Sequence, residues 1–597
     1  MKRPLRAVVT TFCAAVLVGC QLLGGGTDDR EIPPIDYSGS AYRQISQTSG
    51  GRPIIVDQQH AGRELYYVVS NTRQFGAQSV TIPAASQADV AAFPGIQRSS
   101  LSSSSVSSAT GPLRRDFPRQ FVYPDPHPDL LPAGVTPSSA ATPPPAVNDT
   151  FTFATDDGPI TATARLVLTV SDPDKWGLVI WVSDGSNGTI DNEMPAIDDT
   201  MLNLIRDRYL AAADTNIVDL STPIFGEPWG QLDSDIQSLF INPDNNYIHI
   251  LLYDINGNGN DYAGGFVVGY YWAKDNFIDA AWNAAGPSLP ASNERLMFYM
   301  DAPLLADRRD TLNGSGSTWE PTDEGPQTIV STLAHEHQHM VQFYQRVARI
   351  GDGAYAIWLN ELASMVAEDF LAQELSVPGP RAVDPTVLDA GGPPLGGRLS
   401  EYAYSGAITS LIDWSDDPTE VLSDYATAYS FGAYLARVYG AQLFRWLLQE
   451  APPAGRVPRG QSIFGYEQWS IEQAVAEVSG QSLPFGELLH RWGIAMLLSD
   501  DTTAPAEVRI NSGTAFASSA GAQVYNLGSI NAHHYAWLGT AGVGSGPLWP
   551  AGAVTLSIPA SANALYYAGT VPAGGTILPF FLTNPADMQV SVFVRVP

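Results

Sequence analysis

The segment TLAHEHQHMVQFYQ, residues 332–345, holds three of the nine histidines in the chain, at every second position. Imidazoles so dense suggest a metal, and which of them can share one ion depends on the backbone that carries them. On a helix, where side chains advance by about 100°, His335 and His339 stand one turn apart on one side with Gln342. His337 falls on the opposite, apolar side with Val330, Leu333, Met340, Tyr344 and Val347, as a core histidine. On a strand all three histidines would share one face. The helix is favoured: Asp323, Glu324 and Pro326 make a start signal, and Arg346 and Arg349 followed by Gly351 make a stop. His335, Glu336 and His339 then form the HExxH pattern, in which two imidazoles bind zinc and the glutamate, set off the ligand stripe, polarises a water beside the metal.

A hydrolytic zinc takes a third protein ligand and keeps one position open. Beyond Gly351 and Gly353 the segment AIWLNELASMVAEDF reads as a second helix starting near Trp358, with Glu361, Ser364 and Glu368 on one face. Trp358, Leu362, Met365 and Val366 are its expected contacts with the first helix. Antiparallel packing would bring Glu361 beside the histidines as third ligand, and leave Glu368 either a solvated acid or a partner behind the ligands. AHEHQHMVQF followed by WLNELASMVAEDF resembles the gluzincin arrangement, and most closely the hyicolysin-type bacterial neutral metallopeptidases. Weaker similarity in GLVIWVSD, IFGEPWG, NERLMFYMDAP and YATAYSFGAYLARVYG extends the likeness over about residues 150–500. The resemblance implies a secreted zinc endopeptidase with His335, His339 and Glu361 as ligands and Glu336 as general base. It departs from thermolysin-like gluzincins four residues after the ligand glutamate, where Met365 stands in place of an acid. That departure leaves the group orienting a ligand histidine unassigned.

Peptide hydrolysis also needs a proton donor or oxyanion stabiliser. Tyr425, Tyr429 and Tyr434 lie on an apolar helical segment ending at Gly440; Tyr429 is the candidate, with His490 as the alternative and a core role open to both. In DINGNGND, Asp254, Asn256 and Asn258 match the first three ligand positions of a calcium loop and Gly259 its turn, but Gly265 replaces the bidentate glutamate. A hairpin turn explains the same residues. No G-x-S-x-G occurs, which disfavours a serine hydrolase.

These groups sit in a chain of 597 residues, 44% apolar and 15% charged, with 54 Gly and 45 Pro: globular, turn-rich and long enough for several domains. Lys2, Arg3 and Arg6 precede the apolar run AVVTTFCAAVLVG, which reads as a signal peptide. Leu17-Val18-Gly19-Cys20 is similar to a lipobox, so Cys20 is the expected lipidation site, with ordinary secretion as the alternative. Export would also remove Cys13, and a single mature cysteine excludes disulfides, cysteine zinc sites and cysteine proteases. Loss of the three basic leader residues leaves 28 Lys and Arg against 61 Asp and Glu, a formal −33 that repels nucleic acid.

The expected architecture is α+β: a mostly helical zincin-like core between β-rich ends. Its parts are a signal peptide at 1–19, a tether at 20–50, and a β-rich domain at 51–175 including a Ser/Pro-rich linker at 97–147. A metallopeptidase domain at 176–500 and a sandwich-like β domain at 501–597 follow. The expected function is hydrolysis of protein or peptide substrates by zinc, outside the cytoplasm on a bacterial membrane, with calcium as a second candidate ion. The alternative is a non-catalytic surface binding or adhesion lipoprotein with a structural zinc, its fourth position closed by protein.

Overall fold

GLVIWVS, YIHILLY and LMFYMD carry hardly a polar side chain, the composition of strands buried on both faces. In the computed structural model they are the centre of a mixed sheet. The structure describes residues 32, 34–49, 54–82, 114–115, 130–131, 143–169, 176–183, 197–211, 215–242, 246–257, 259, 266–285, 290–309, 316, 318–351, 355–384, 386–390, 397–405, 408–415, 420–450, 465–534, 538–539, 542–543, 548–550, 554–578, 581–582 and 587–596. Cys20, the signal peptide and nearly all of the Ser/Pro-rich stretch lie outside the described residues. The chain divides into Met1–Asp36, of which only 32 and 34–36 are described, and Tyr37–Pro597.

Within the larger unit the fold is α+β. Its labelled elements are β1 (Tyr42–Ser49), β2 (Glu64–Asn71), β3 (Thr150–Thr155), β4 (Gly158–Leu168), β5 (Gly177–Ser183), β6 (Tyr247–Tyr253), β7 (Gly269–Tyr271) and β8 (Leu296–Asp301). Four helices follow, α1 (Glu324–Gln342), α2 (Ile357–Leu375), α3 (Val421–Val438) and α4 (Phe485–Leu497), then β9 (Leu548–Pro550), β10 (Ala562–Thr570) and β11 (Met588–Arg595). The first sheet has the order β7-β8-β6-β5-β4-β3. β5, β6 and β8 are mutually parallel, and antiparallel strands close both edges. α1 packs on β7 and β8, so the edge of this sheet faces the histidine helix.

The second sheet has the order β1-β11-β2-β10-β9 and joins the two ends of the chain. β2 is its centre, antiparallel to both β11 and β10. Its alternation places Leu65, Tyr67 and Val69 in a core with Tyr566, Val590 and Val592, capped by Val80 and Ile558 from a smaller three-stranded sheet. The other face receives α4, where a Cβ on Gly493 would lie 2.9 Å from both Val68 and Asn563.

Three expectations need correction. The tether does not run to residue 50, because Tyr42–Ser49 is a strand paired with β11. A boundary at 175 would cut the first sheet, since β3 and β4 continue it through β5. The N-terminal and C-terminal strands form one shared sandwich, because the open edges of β10 and β11 are both satisfied by β2.

Candidate metal centre

α1 starts at Glu324 and, after a π-helical stretch Phe343–Ala348, the chain turns at Gly351, whose φ of 65° favours glycine. Every residue from Ile329 to Gln342 is buried. The histidine side of the helix therefore faces protein: its cover is the polar face of α2. Asn360, Glu361, Ser364 and Glu368 all hydrogen-bond or approach α1, whereas Leu362 and Val366 meet Gly432 of α3 and Trp358 meets Phe485 of α4. Leu362, Val366 and Trp358 thus reach α3 and α4, so α2 is packed against helices besides α1.

His335 and His339 have ring centroids 4.7 Å apart with planes at 80°. Oε2 of Glu361 lies 3.1 Å from Nε2 of His335 and 3.7 Å from Nε2 of His339. Ligand atoms of His335, Glu336 and His339 all lie within 4.8 Å of one another. The Nδ1–H of His335 donates to Oε1 of Glu368 at 2.8 Å, and Ser331 donates its hydroxyl to the other oxygen. The Nδ1–H of His339 donates to Oδ1 of Asn360 and Oγ of Ser364, each at 2.9 Å, while the Ser364 hydroxyl donates to Gln338. Those acceptors place both protons on Nδ1, so both Nε2 lone pairs are directed at Glu361.

This donor set fits zinc. Two ligand atoms each 2.0–2.1 Å from an ion at the tetrahedral angle lie about 3.3 Å apart, between the two distances to Glu361. Glu336 is held separately: its Oε2 accepts the backbone N–H of Tyr271, on the edge strand β7, at 2.8 Å. His337 is fully buried against Phe298 of the sheet, its Nδ1 lies in hydrogen-bond contact with the Tyr209 hydroxyl at 3.0 Å, and burial pushes its pKa down to about 3.

Met365 is fully buried, and the residue on His335 is Glu368, seven positions after Glu361. Its place on one face with Glu361 and Ser364 was the available sequence signal. Asn360, Ser331 and Tyr271 went unnoticed: the first two are one neighbour and one helical turn from ligands, and Tyr271 acts through its backbone, which no side-chain motif records. Tyr429 is fully buried on α3, one turn before the Gly432 contact with α2. His490 projects from α4 onto the second sheet, with Ser70 at 2.7 Å and Ser591 at 2.8 Å, and its pKa is lowered to about 3 by burial and by neighbouring Arg491. It belongs to the sandwich junction. At the calcium candidate, both carboxylate oxygens of Asp254 accept the N–H of Gly259, at 3.1 and 3.2 Å. Asn256 takes left-handed backbone and donates its N–H to Asp157, and Asn258 lies outside the described residues.

A mixed sheet whose edge lies along an HExxH helix, with a glutamate from the next helix closing on the histidines, is an arrangement of the kind that metallopeptidases use to hold a metal ion. The profile of the Peptidase M30 family matches residues 158–482, more than half of the chain, which therefore belongs to that family. The neutral metalloprotease ShpI of Staphylococcus hyicus is 27% identical over 250 residues, 40% of this chain and 47% of the relative, so the chain spans about half the length of that curated relative.

Proposed function

We propose that this chain is an extracytoplasmic zinc endopeptidase acting on protein or peptide substrates. The observation that carries the reading is the convergence of His335, His339 and Glu361, with Glu336 beside them on its own anchor. Family membership and the protease relative support it. His335, His339 and Glu361 would hold the zinc, which when bound supplies Lewis-acid polarisation of a substrate carbonyl. Glu336 has a carboxylate oxygen within 4.8 Å of the ligand nitrogens, near enough for one water between, and would take that water's proton. The Tyr271 N–H fixes the orientation of that carboxylate. Tyr429 is the residue we assign to the developing oxyanion, as the central phenol of the tyrosine-bearing segment DYATAYSFGAYLARVYG.

The test measures bound zinc and chelator-sensitive cleavage of casein on single variants. His335→Ala, His339→Ala and Glu361→Ala should lose both, and His337→Ala should keep its zinc. Zinc lost in His337→Ala and kept in Glu361→Ala would overturn the ligand assignment. Stoichiometric zinc with no hydrolysis would favour a structural zinc in a binding protein. The location rests on Leu17–Cys20 behind a basic, apolar leader, and no helix among the described residues is long and apolar enough to cross a membrane. Cys20→Ser should abolish acylation and release the protein from membranes; unchanged membrane association would remove the lipid anchor from the proposal.

A further inference from the structure

On α2 the position one turn beyond Glu361 is Met365, which accepts no strong hydrogen bond, and the acid on His335 comes from nearly two turns away. Glu368 is buried, and a desolvated carboxylate is tolerated only where its oxygens are matched. Here each has one donor on α1: Nδ1–H of His335 on Oε1 and the hydroxyl of Ser331 on Oε2. Ser331 and His335 are four residues apart on one face, so a single carboxylate bridges two successive turns of α1. Its angle to the imidazole is fixed at both oxygens. His339 is treated differently, since its Nδ1–H meets the neutral acceptors of Asn360 and Ser364.

We propose that Glu368, locked by Ser331, is the positioning residue for His335 and makes it the stronger of the two imidazole donors. A carboxylate acceptor draws the Nδ1 proton and enriches the opposite nitrogen, while the bridge to Ser331 prevents the ring from following the side chain through other rotamers. This rests on the reading that His335 holds zinc through Nε2.

The experiment uses the full chain and reads zinc affinity by competition with a chromophoric chelator, together with the visible spectrum of the cobalt-substituted protein and the melting temperature of the metal-free protein. Glu368→Ala should weaken zinc by about 10- to 100-fold and alter the cobalt spectrum. Ser331→Ala should weaken zinc less, in the same direction. Glu368→Gln keeps a carbonyl acceptor for Nδ1–H but not the charge, so it should shift the cobalt spectrum less than Glu368→Ala, with an affinity between those of Glu368→Ala and wild type. If Glu368→Ala or Ser331→Ala lowers only the melting temperature of the metal-free protein and leaves affinity and spectrum unchanged, the residues are packing alone and the proposal is overturned. A wild type without zinc, or a His335→Ala variant that keeps it, would overturn the zinc reading itself.

Discussion

The metal centre and the terminal sheet both bury polar groups, but they assemble them over different chain distances. Ser331, His335, His339, Asn360, Glu361 and Glu368 come from two consecutive helices. The sheet junction joins Ser70 to Asn563 and His490 to Ser591, with 493 positions between the first pair. At the centre, carboxylates face imidazoles across a site that fits an ion. At the junction everything is neutral: Ser70 donates to Asn563 and so accepts from Nδ1–H of His490, whose Nε2 accepts from Ser591. On the proposed reading chemistry is carried by the local assembly, and the non-local one supports it through α4, whose Trp492 and Phe485 pack on Phe431 of α3.

The largest effect should follow from deleting the chain through Ile82. β2 lies between β10 and β11, so its loss opens two strand edges and uncovers the core around Tyr67 and Val69. The truncated protein should fail to give a cooperative melt and should migrate as aggregate on size exclusion, although every residue of the metal centre is present. A truncated chain that folds and cleaves casein would make the terminal sheet an accessory and break the comparison.

The converse variant is Glu336→Gln, which should leave zinc content and the melt close to wild type while casein cleavage falls by at least about 10²-fold, the usual scale of a lost general base. Retained cleavage would move the base elsewhere.

The same difference in chain distance explains what could be read in advance. The i, i+4 spacing of His335 and His339 is a property of one helix, and its boundary signals at Asp323 and Gly351 lie within reach of the pattern. A short apolar run bounded by turn residues likewise marks ELYYVVSN as a strand. Its partners carry no such mark, because register between β2 and β11 is set by packing of segments more than 500 residues apart. The two ends therefore looked like separate modules. Inside the site, Glu361 followed from helix pairing, but choosing between solvent and His335 for Glu368 required the relative rotation of α1 and α2. His490 looked chemical because its Ser70 and Ser591 partners lie 420 and 101 positions away.

A smaller effect separates the regions by pH. His490 has a native pKa lowered to about 3, so it is neutral in the fold and takes up a proton on unfolding below its ordinary value of about 6.5. Its contribution is present above about 6.5 and is eroded as pH falls from there toward 3, by at most about 1.4 kcal/mol per pH unit. His490→Gln should make stability less steep between pH 6.5 and 4 than in wild type, at a lower baseline, with zinc content unchanged at neutral pH. Parallel stability curves for the two proteins would show that the junction histidine is already charged in the fold.

The smallest expected effect lies at the Asp254 loop, which tests whether a second ion belongs to the molecule. Both oxygens of Asp254 converge on the N–H of Gly259, Asn256 supplies the left-handed residue, and Asp157 receives the N–H of Asn256, so the turn is closed by carboxylates accepting its backbone N–H groups. On this geometry Asp254→Ala removes roughly one charge-assisted hydrogen bond, about 1.5–3 kcal/mol. In a chain of this length that is a shift of only a few degrees in melting temperature. The shift should be the same with and without millimolar calcium. A calcium ion bound to the native loop would instead raise the wild-type melting temperature by mass action, and Asp254→Ala would abolish that rise. Such a calcium-dependent difference would give the loop after β6 an ion of its own, and the DINGNGND segment a ligand role in addition to its turn.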